Sequence, residues 1–329
     1  MSKIIIIRTC CNSKSGGGHL LRCLALFKIL SKKYNTFLYC PDSNNKMLNS
    51  AINNKKINLI DYNKIINFQE PIDLCILDDY QMNNSELAFF RSNSKKILII
   101  NEYISESKYA DLILNLTLPD IIERRHVRPI LITDLKYSLI DSSYSEIAKI
   151  FTVKKKVKRI LINFGLLDSK SMTLKIIKLI DNSDYLFNNF KFDVLISSLN
   201  KDLNQIKVIS NSSQIEFKIH LDNFNINTIV KESDLVIGSG GLSLLERLTV
   251  GVPSLTFSIS ENQKLLKQKI YKLNCTYFVT KESINNLISI IDKIINDYEL
   301  RKRMSLLARK NFDGKGALRL VKLIEKELI

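Results

Sequence analysis

No apolar run in the 329 residues reaches the ~18–20 residues of a membrane-spanning helix, so no stable membrane insertion is expected. The first apolar stretch, Ile4–Ile7, is too short for a secretory signal and reads as a core strand. Six cysteines, at 10, 11, 23, 40, 75 and 275, contain no C-x-x-C pair. Most sit inside apolar runs, so buried free thiols in a reducing cytoplasm are expected, with no disulfide framework and no metal cluster. No Asp-x-Asp pair or His-rich tract suggests a metal site either. Acidic residues are outnumbered, 33 against 49 Lys and Arg, for a net charge of +16. No nucleic-acid-binding motif accompanies that excess. The lysines are scattered, often beside Asn and Ile, and the densest run, Lys154–Arg159, leads straight into a strand. The charge is therefore read as solvated surface with some field favouring an anionic substrate, and nucleic acid is not an expected partner.

What is present is the material of two α/β halves. A hydrophobic content of 45% over this length suits two domains, each with its own core. Short apolar strands alternate with helical patterns in 1–150. The strand at Ile4–Ile7 is followed by a helix over about 20–33, and further strands are expected at 36–39, 74–77, 96–100 and 110–114. Segment 134–158 reads as the connection. The pattern restarts at Arg159–Asn163 and continues through strands at 192–196, 214–219, 235–237, 253–257 and 276–279. The end is expected to be helical over 284–295 and 300–328, a last long helix that fits against either half. Alternation of this kind predicts parallel sheets with crossover helices, in two domains, 1–150 and 151–329.

The chain is organised around Leu235-Val-Ile-Gly-Ser-Gly-Gly-Leu-Ser-Leu-Leu-Glu-Arg247, read as a strand, a glycine turn and the first turns of a helix. Gly238, Gly240 and Gly241 permit positive φ and close approach to the backbone. Ser243 opens the helix, where unpaired N–H groups and the helix dipole favour an anion such as a diphosphate. Glu246 lies about one turn on. A carboxylate does not hold a phosphate, but it accepts hydrogen bonds from a diol such as a ribose. The plainer alternative is a tight turn with a surface glutamate.

In open α/β sheets ligands bind beyond the carboxyl ends of strands. Four loops leave such ends, carrying Gly16–His19, Asp78–Tyr80, Gly165–Asp168 and Gly238–Glu246, and two facing domains would gather them at one cleft. His19 follows three glycines and precedes a helix, where the neutral, proton-accepting imidazole is favoured. It either transfers protons or caps the helix. Asp78 or Asp79 can orient an imidazole or bind a sugar hydroxyl, and Tyr80 can reach a sugar or cover the strand end. Glu261-Asn-Gln263 suits recognition of hydroxyls or amides and equally suits a helix cap. His126 and His220 read as structural or surface residues.

Gly16-Gly-Gly-His-Leu-Leu-Arg-Cys-Leu-Ala-Leu26 resembles the Gly-His-x-x-Arg-Cys-Leu loop of the PseG/SpsG family, whose type member is UDP-2,4-diacetamido-2,4,6-trideoxy-β-L-altropyranose hydrolase. Gly238–Arg247 is similar to that family's Gly-Ala-Gly-Gly-x-Ser-x-x-Glu-Arg, and Gly251-Val-Pro-Ser254 and Glu261-Asn-Gln263 follow in order. Asp79-Tyr80, Tyr137-Ser-Leu139 and Asp313-Gly-Lys-Gly-Ala317 match weaker features. The resemblance implies a MurG-like GT-B fold, two Rossmann-like domains with parallel sheets facing a central cleft, and an enzyme. It implies hydrolysis of a UDP-linked 2,4-diacetamido-2,4,6-trideoxy sugar, releasing UDP and free sugar for pseudaminic acid (nonulosonate) biosynthesis. His19 would be the base, with Asp79 and Tyr80 completing the catalytic set. Gly17, Gly18, Arg22, Gly165, Asp168, Gly240, Gly241, Ser243, Glu246, Glu261, Asn262 and Gln263 would bind substrate. Water would be the co-substrate, the protein a cytoplasmic monomer, and neither metal nor cofactor is implied. A GT-B glycosyltransferase acting on a lipid or glycan acceptor is the alternative. Where the family shows Phe-Gly-Gly-x-Asp-Pro, this chain has Phe164-Gly-Leu-Leu-Asp-Ser169, a departure that bears on the identity of the sugar and the nucleotide.

Overall fold

The computed structural model describes the chain except residues 1–2, 13–16, 42–45, 53–55, 69, 80–81, 101–107, 120–128, 166–167, 184–185, 224 and 281–284, and the side chains of 46–47. By contacts the chain divides into two units, Met1–Asp141 with Gly314–Ile329, and Ser142–Asp313. The sequence reading puts the boundary near 150, numbers the tail with the second half and leaves its last helix to pack on either. The helix at 142–150 packs instead on the second unit, and the tail returns to the first.

In the first unit the strands are β1 (Ile4–Thr9), β2 (Asn35–Tyr39), β3 (Leu59–Ile60), β4 (Ile72–Asp78), β5 (Ser94–Ile100), β6 (Leu112–Leu114) and β7 (Ile130–Ile132). They form one parallel sheet in the order β3-β2-β1-β4-β5-β6-β7. β1 and β4 are central and nearly continuous in Ile and Leu, as strands covered on both faces must be. Their register sets Thr9 beside Asp78 at the carboxyl ends. The helices are α1 (Gly18–Leu30), α2 (Lys46–Ile52), α3 (Tyr62–Ile66) and α4 (Asn84–Asn93). Asp61 and Asn83 cap α3 and α4 through their side chains.

The second unit opens with α5 (Ser142–Ile150), inside the stretch read as a connection. Its strands are β8 (Arg159–Asn163), β9 (Lys191–Ile196), β10 (Glu216–Leu221), β11 (Leu235–Ser239), β12 (Ser254–Phe257) and β13 (Tyr277–Phe278), parallel in the order β10-β9-β8-β11-β12-β13. The helices are α6 (Met172–Asp181), α7 (Leu203–Ser212), α8 (Ile226–Glu232), α9 (Leu242–Val250), α10 (Glu261–Tyr271), α11 (Leu287–Asn296) and α12 (Tyr298–Asn311). α7 supplies the crossover that two parallel neighbours, β9 and β10, require. Ile160, Ile162, Val194, Ile196, Leu235 and Ile237 lie in one buried core with Phe187, Phe192 and Phe257.

The expected helix over 300–328 is two helices. α12 ends at Asn311 and α13 (Gly316–Glu327) begins after a break in which Gly314 takes φ +68°. α13 belongs to the first unit and packs on α1. Its first residue lies flat against the backbone of Tyr137 and Ser138, so the two weaker motifs, Tyr137–Leu139 and Asp313–Ala317, meet in space. Arg319 Nη1 donates to the Lys136 carbonyl at 3.0 Å across the same contact. Arg301, wholly buried on α12, donates to the Ile294 carbonyl at 2.8 Å and to Ile295 at the end of α11, and to the Lys154 and Lys155 carbonyls at 3.1 and 2.8 Å. A cation is suited to the Ile294 and Ile295 carbonyls, which close a helix at its negative end.

A Cβ on Gly316 would collide with Ser138 O and lie 2.5 Å from Ser138 N, whereas one on Gly18 would meet nothing within 4 Å. Gly316→Ala is therefore expected to lower the thermal midpoint by roughly 5 °C or more, since overpacking costs about 1–3 kcal/mol. Gly18→Ala, at a helical position, should stay within about 2 °C of wild type or rise. Equal midpoints in differential scanning calorimetry would refute the close approach.

Candidate active site

In the first unit the site is built around β4 and α1. α1 starts earlier than the sequence reading placed it, with Gly17 as its N-cap, so His19 is in the first turn. Helical spacing then puts His19, Arg22 and Cys23 on one face. All three reach Asp78, which has no solvent exposure at the end of β4. His19 Nδ1 is 2.6 Å from Asp78 Oδ1. Arg22 donates through Nε to Oδ2 at 2.6 Å and through Nη2 to Oδ1 at 2.5 Å, a bidentate pair. The Cys23 thiol donates to Oδ2 at 3.3 Å. Burial opposes ionisation of Asp78, but the charge of Arg22 beside it and the hydrogen bonds from Arg22 and His19 overcome it and hold the carboxyl well below the usual carboxylate range. Burial pushes the Cys23 thiol well up, and the Asp78 charge adds to that, so Cys23 stays a protonated donor.

Two groups compete for His19 Nδ1, since Arg22 Nη2 also lies 3.1 Å from it. A lone pair on Nδ1 would face a carboxylate oxygen at 2.6 Å, which is repulsive, so the proton belongs on Nδ1. A neutral imidazole in that tautomer carries its lone pair on Nε2. The Asp–His arrangement thus orients a proton acceptor.

The carboxylate on the imidazole is Asp78, not Asp79. Asp79 pairs with Arg8, which also donates from Nε to Glu86 Oε1 at 2.9 Å and from Nη2 to Glu86 Oε2 at 3.3 Å. Burial works against the Arg8 charge, yet Glu86 and Asp79 together raise its pKa. Arg8 therefore ties β1 to the end of β4 through Asp79 and to the start of α4 through Glu86. Tyr80 lies outside the described residues, as do Gly16 and His126.

In the second unit the turn after β11 matches the expected strand, turn and helix. Of the two purposes read for these glycines, close approach and not positive φ applies, because positive φ among the described glycines occurs at Gly165, Gly251 and Gly314. Gly238 is needed for close approach, since a Cβ there would strike the Asn163 carbonyl on β8. Gly240 donates its N–H to Gln263 Oε1 at 3.1 Å, and Ile259 donates to the same oxygen at 3.0 Å. Gln263 is thus a strut between the loops after β11 and β12. Asn262 Oδ1 accepts from Ser260 and from the Gln263 N–H, and the exposed Glu261 pairs with Lys264, both within the first turn of α10. Gly241 caps α9 and Ser243 lies in its first turn. Glu246 is buried, contrary to the surface glutamate of the plainer reading. Arg247, one residue on, is also buried and donates to Ser243 Oγ at 3.3 Å, the Ser239 carbonyl at 2.8 Å and Thr256 Oγ1 at 3.0 Å. Asp168, at φ +42°, accepts from the Met172 and Thr173 N–H groups at 3.0 and 2.5 Å and caps α6, and Gly165 donates to Asn163 Oδ1 at 3.0 Å. Leu166 and Leu167, the departure from the motif, are outside the described residues.

Sequence reasoning left Cys23, Arg8, Glu86 and Arg247 out of the site. The spacing i, i+3, i+4 from His19 signals Cys23, and the Glu-Arg pair signals Arg247. Nothing in the sequence signals the Arg8–Glu86 contact, which depends on the sheet order. Among the described residues no cluster of three or more His, Cys, Asp or Glu is placed to hold a metal, all six cysteines are free and buried, and no helix is long and apolar enough to cross a membrane.

No family model matches the chain. It is 26% identical over 322 residues to an uncharacterized protein of Methanocaldococcus jannaschii, covering 87% of this chain and 65% of that relative, so it spans just under two thirds of that protein. It is 24% identical over 240 residues to the spore coat polysaccharide biosynthesis protein SpsG of Bacillus subtilis, covering 70% of this chain and 69% of SpsG. Among solved structures, MurG of Acinetobacter baumannii superposes with a TM-score of 0.65 at 13% identity, covering 98% of this chain and 99% of that one. The UDP complex of S. aureus MnaA does so with 0.66 at 14% identity, covering 99% and 98%. The fold is the GT-B type, two Rossmann-like halves each built on a parallel sheet.

Asp78→Asn removes the charge that Arg22 and His19 share. It is expected to lower stability at pH 7 by about 3 kcal/mol, the scale for breaking a buried pair. A carboxyl whose pKa is depressed on folding stabilises above its unfolded pKa and loses that stabilisation as pH falls. The gap between wild type and Asp78→Asn should therefore narrow below about pH 4. A gap constant from pH 7 to 3 in thermal melts would contradict the ionised Asp78.

Proposed function

We propose that this protein is an enzyme acting on nucleotide sugars, specifically a hydrolase of a UDP-linked 2,4-diacetamido-2,4,6-trideoxy sugar in nonulosonate biosynthesis. The observation that carries the reading is the 2.6 Å contact between Asp78 at the end of β4 and His19 Nδ1 in the first turn of α1, from which the proton is assigned to Nδ1 and the lone pair to Nε2. The glycine turn and first turn of α9 supply the second requirement, an anion site of backbone amides and Ser243 at a helix N-terminus. Glu246 follows at the distance of about one turn as acceptor for the ribose hydroxyls.

In this reading the water oxygen attacks the anomeric carbon as its proton passes to His19 Nε2. The bond from that carbon to the diphosphate oxygen breaks and its electron pair leaves with UDP. The imidazolium, stabilised by Asp78, then returns the proton to solvent. Asp78 holds the ring and does not itself take the proton, while Arg22 holds Asp78. Asp79, held by Arg8, follows Asp78 in the chain, and Gln263 keeps the turn in shape. The similarity to SpsG, whose name refers to polysaccharide biosynthesis, supports nucleotide-sugar chemistry. The fold shared with MurG supports a second reading, transfer of the sugar to a lipid or glycan, which uses the same base and the same anion site on a different acceptor.

His19→Asn is expected to lower turnover by about 10²–10⁴-fold, the usual range for a general acid–base group, with UDP affinity nearly unchanged. A loss under tenfold would remove His19 from the chemistry. Glu246→Ala should weaken UDP binding by roughly tenfold or more while slowing saturated turnover less, since hydrogen bonds to a charged group are worth about 1.5–3 kcal/mol. Unchanged UDP affinity by calorimetry would exclude the ribose contact.

A further inference from the structure

Arg247 is an unusual occupant of its position. It is 1% exposed, and its fork meets only neutral acceptors: the Ser239 carbonyl, Thr256 Oγ1 and Ser243 Oγ. Its Nε has no hydrogen-bond partner. Among the described residues no ion pair includes it, and Glu246 acts on it through the field alone. Isolated buried charges are costly unless paired. The location adds to the cost. Helical side chains lean toward the N-terminus, and Arg247 reaches back four residues to Ser243 in the first turn of α9. A guanidinium is thereby set beside the positive end of a helix, where a cation is disfavoured and an anion favoured. Its Nη1 lies 3.6 Å from where a Cβ on Gly238 would sit, directly against the glycine turn.

The neighbouring hydroxyls give these bonds a direction. Thr276 Oγ1 donates to the Ser254 carbonyl at 2.8 Å, so it accepts from Thr256 Oγ1 at 2.7 Å. Thr256 in turn has its oxygen turned to Arg247. Ser243 receives Nη1 on its oxygen, which leaves its own proton to be donated elsewhere.

We infer that Arg247 is a positioning residue for the diphosphate of the nucleotide: it supplies the buried positive charge beneath the glycine turn and fixes Ser243 as a donor toward the phosphate oxygens. The inference rests on the reading of that turn as the diphosphate site and adds the residue that polarises it. Arg247 itself acts through Ser243 and through its field, not by contact with the substrate.

The test compares UDP, UMP and uridine by calorimetry on wild type, Arg247→Lys and Arg247→Gln, with melting curves of each. Arg247→Gln is expected to weaken UDP by about ten- to a hundredfold and UMP by less, so that preference for the diphosphate falls. Arg247→Lys should recover part of the UDP affinity by keeping the charge. Wild-type melting together with UDP affinity within twofold in Arg247→Gln would overturn the inference while leaving the UDP site intact. Failure of the wild type to bind UDP would overturn the inference and the reading it rests on together. Should Arg247→Gln not fold, the wild type carries the test through the Arg247 Nε–H resonance in ¹⁵N NMR. That signal is expected to shift with UDP and with inorganic pyrophosphate but not with uridine, and a signal unmoved by UDP overturns the inference.

Discussion

The carboxylate of Asp78 sits at the end of a central strand with no contact to water, and burial alone would neutralise it. It stays ionised because four donors from α1 surround it, two from Arg22 and one each from His19 and Cys23. α1 is therefore docked on the sheet by charge as well as by its apolar face, and the rotation of the helix is set by where those donors must point. The imidazole inherits that order. Its ring is held by the Asp78 contact, and that contact assigns the proton to Nδ1 and the basic lone pair to Nε2.

The second half shows the opposite arrangement. There the buried charge is a cation, Arg247, its acceptors are neutral, and one of its donors is unused. The first half closes its charge on itself, while the second leaves a positive field at a helix N-terminus, a place suited to a phosphate. Both charged groups stand at carboxyl ends of central strands, where α/β sheets gather their ligands. In the second half a helix that follows the glycine turn brings the charge there, whereas in the first the charge ends β4 itself and α1 brings its partners.

Much of this was legible in the sequence. Apolar runs too short for anything but buried strands, alternating with helical periods, gave two parallel-sheet halves. The two glycine motifs gave His19 and the turn before α9. What was not legible depends on tertiary neighbours. Periodicity does not say which of two adjacent aspartates faces a helix, and the register of β1 against β4 is what turns Asp78 to His19 and Asp79 to Arg8. The boundary was misplaced because α5 and α13 are ordinary amphipathic helices whose partners, α9 and α1, lie far away in the chain. The final helix was read as continuous because its apolar spacing persists across Gly314, where the left-handed backbone breaks it. The glycines of the turn suit positive φ and close approach alike, and only the packing of β11 on β8 decides that Gly238 is there to admit the Asn163 carbonyl.

The proposed reaction is attack by water at the anomeric carbon of a UDP-linked sugar. Its most direct test is incubation of the UDP-diacetamido-trideoxy sugar with the protein in ¹⁸O-labelled water without any acceptor, followed by NMR and mass spectrometry. Hydrolysis of this kind gives UDP with no label and free sugar carrying one ¹⁸O at the anomeric hydroxyl. Label in UDP would place the attack at phosphorus. Nucleotide sugar left intact until a lipid or glycan is added would make the protein a transferase, and either result would contradict the account.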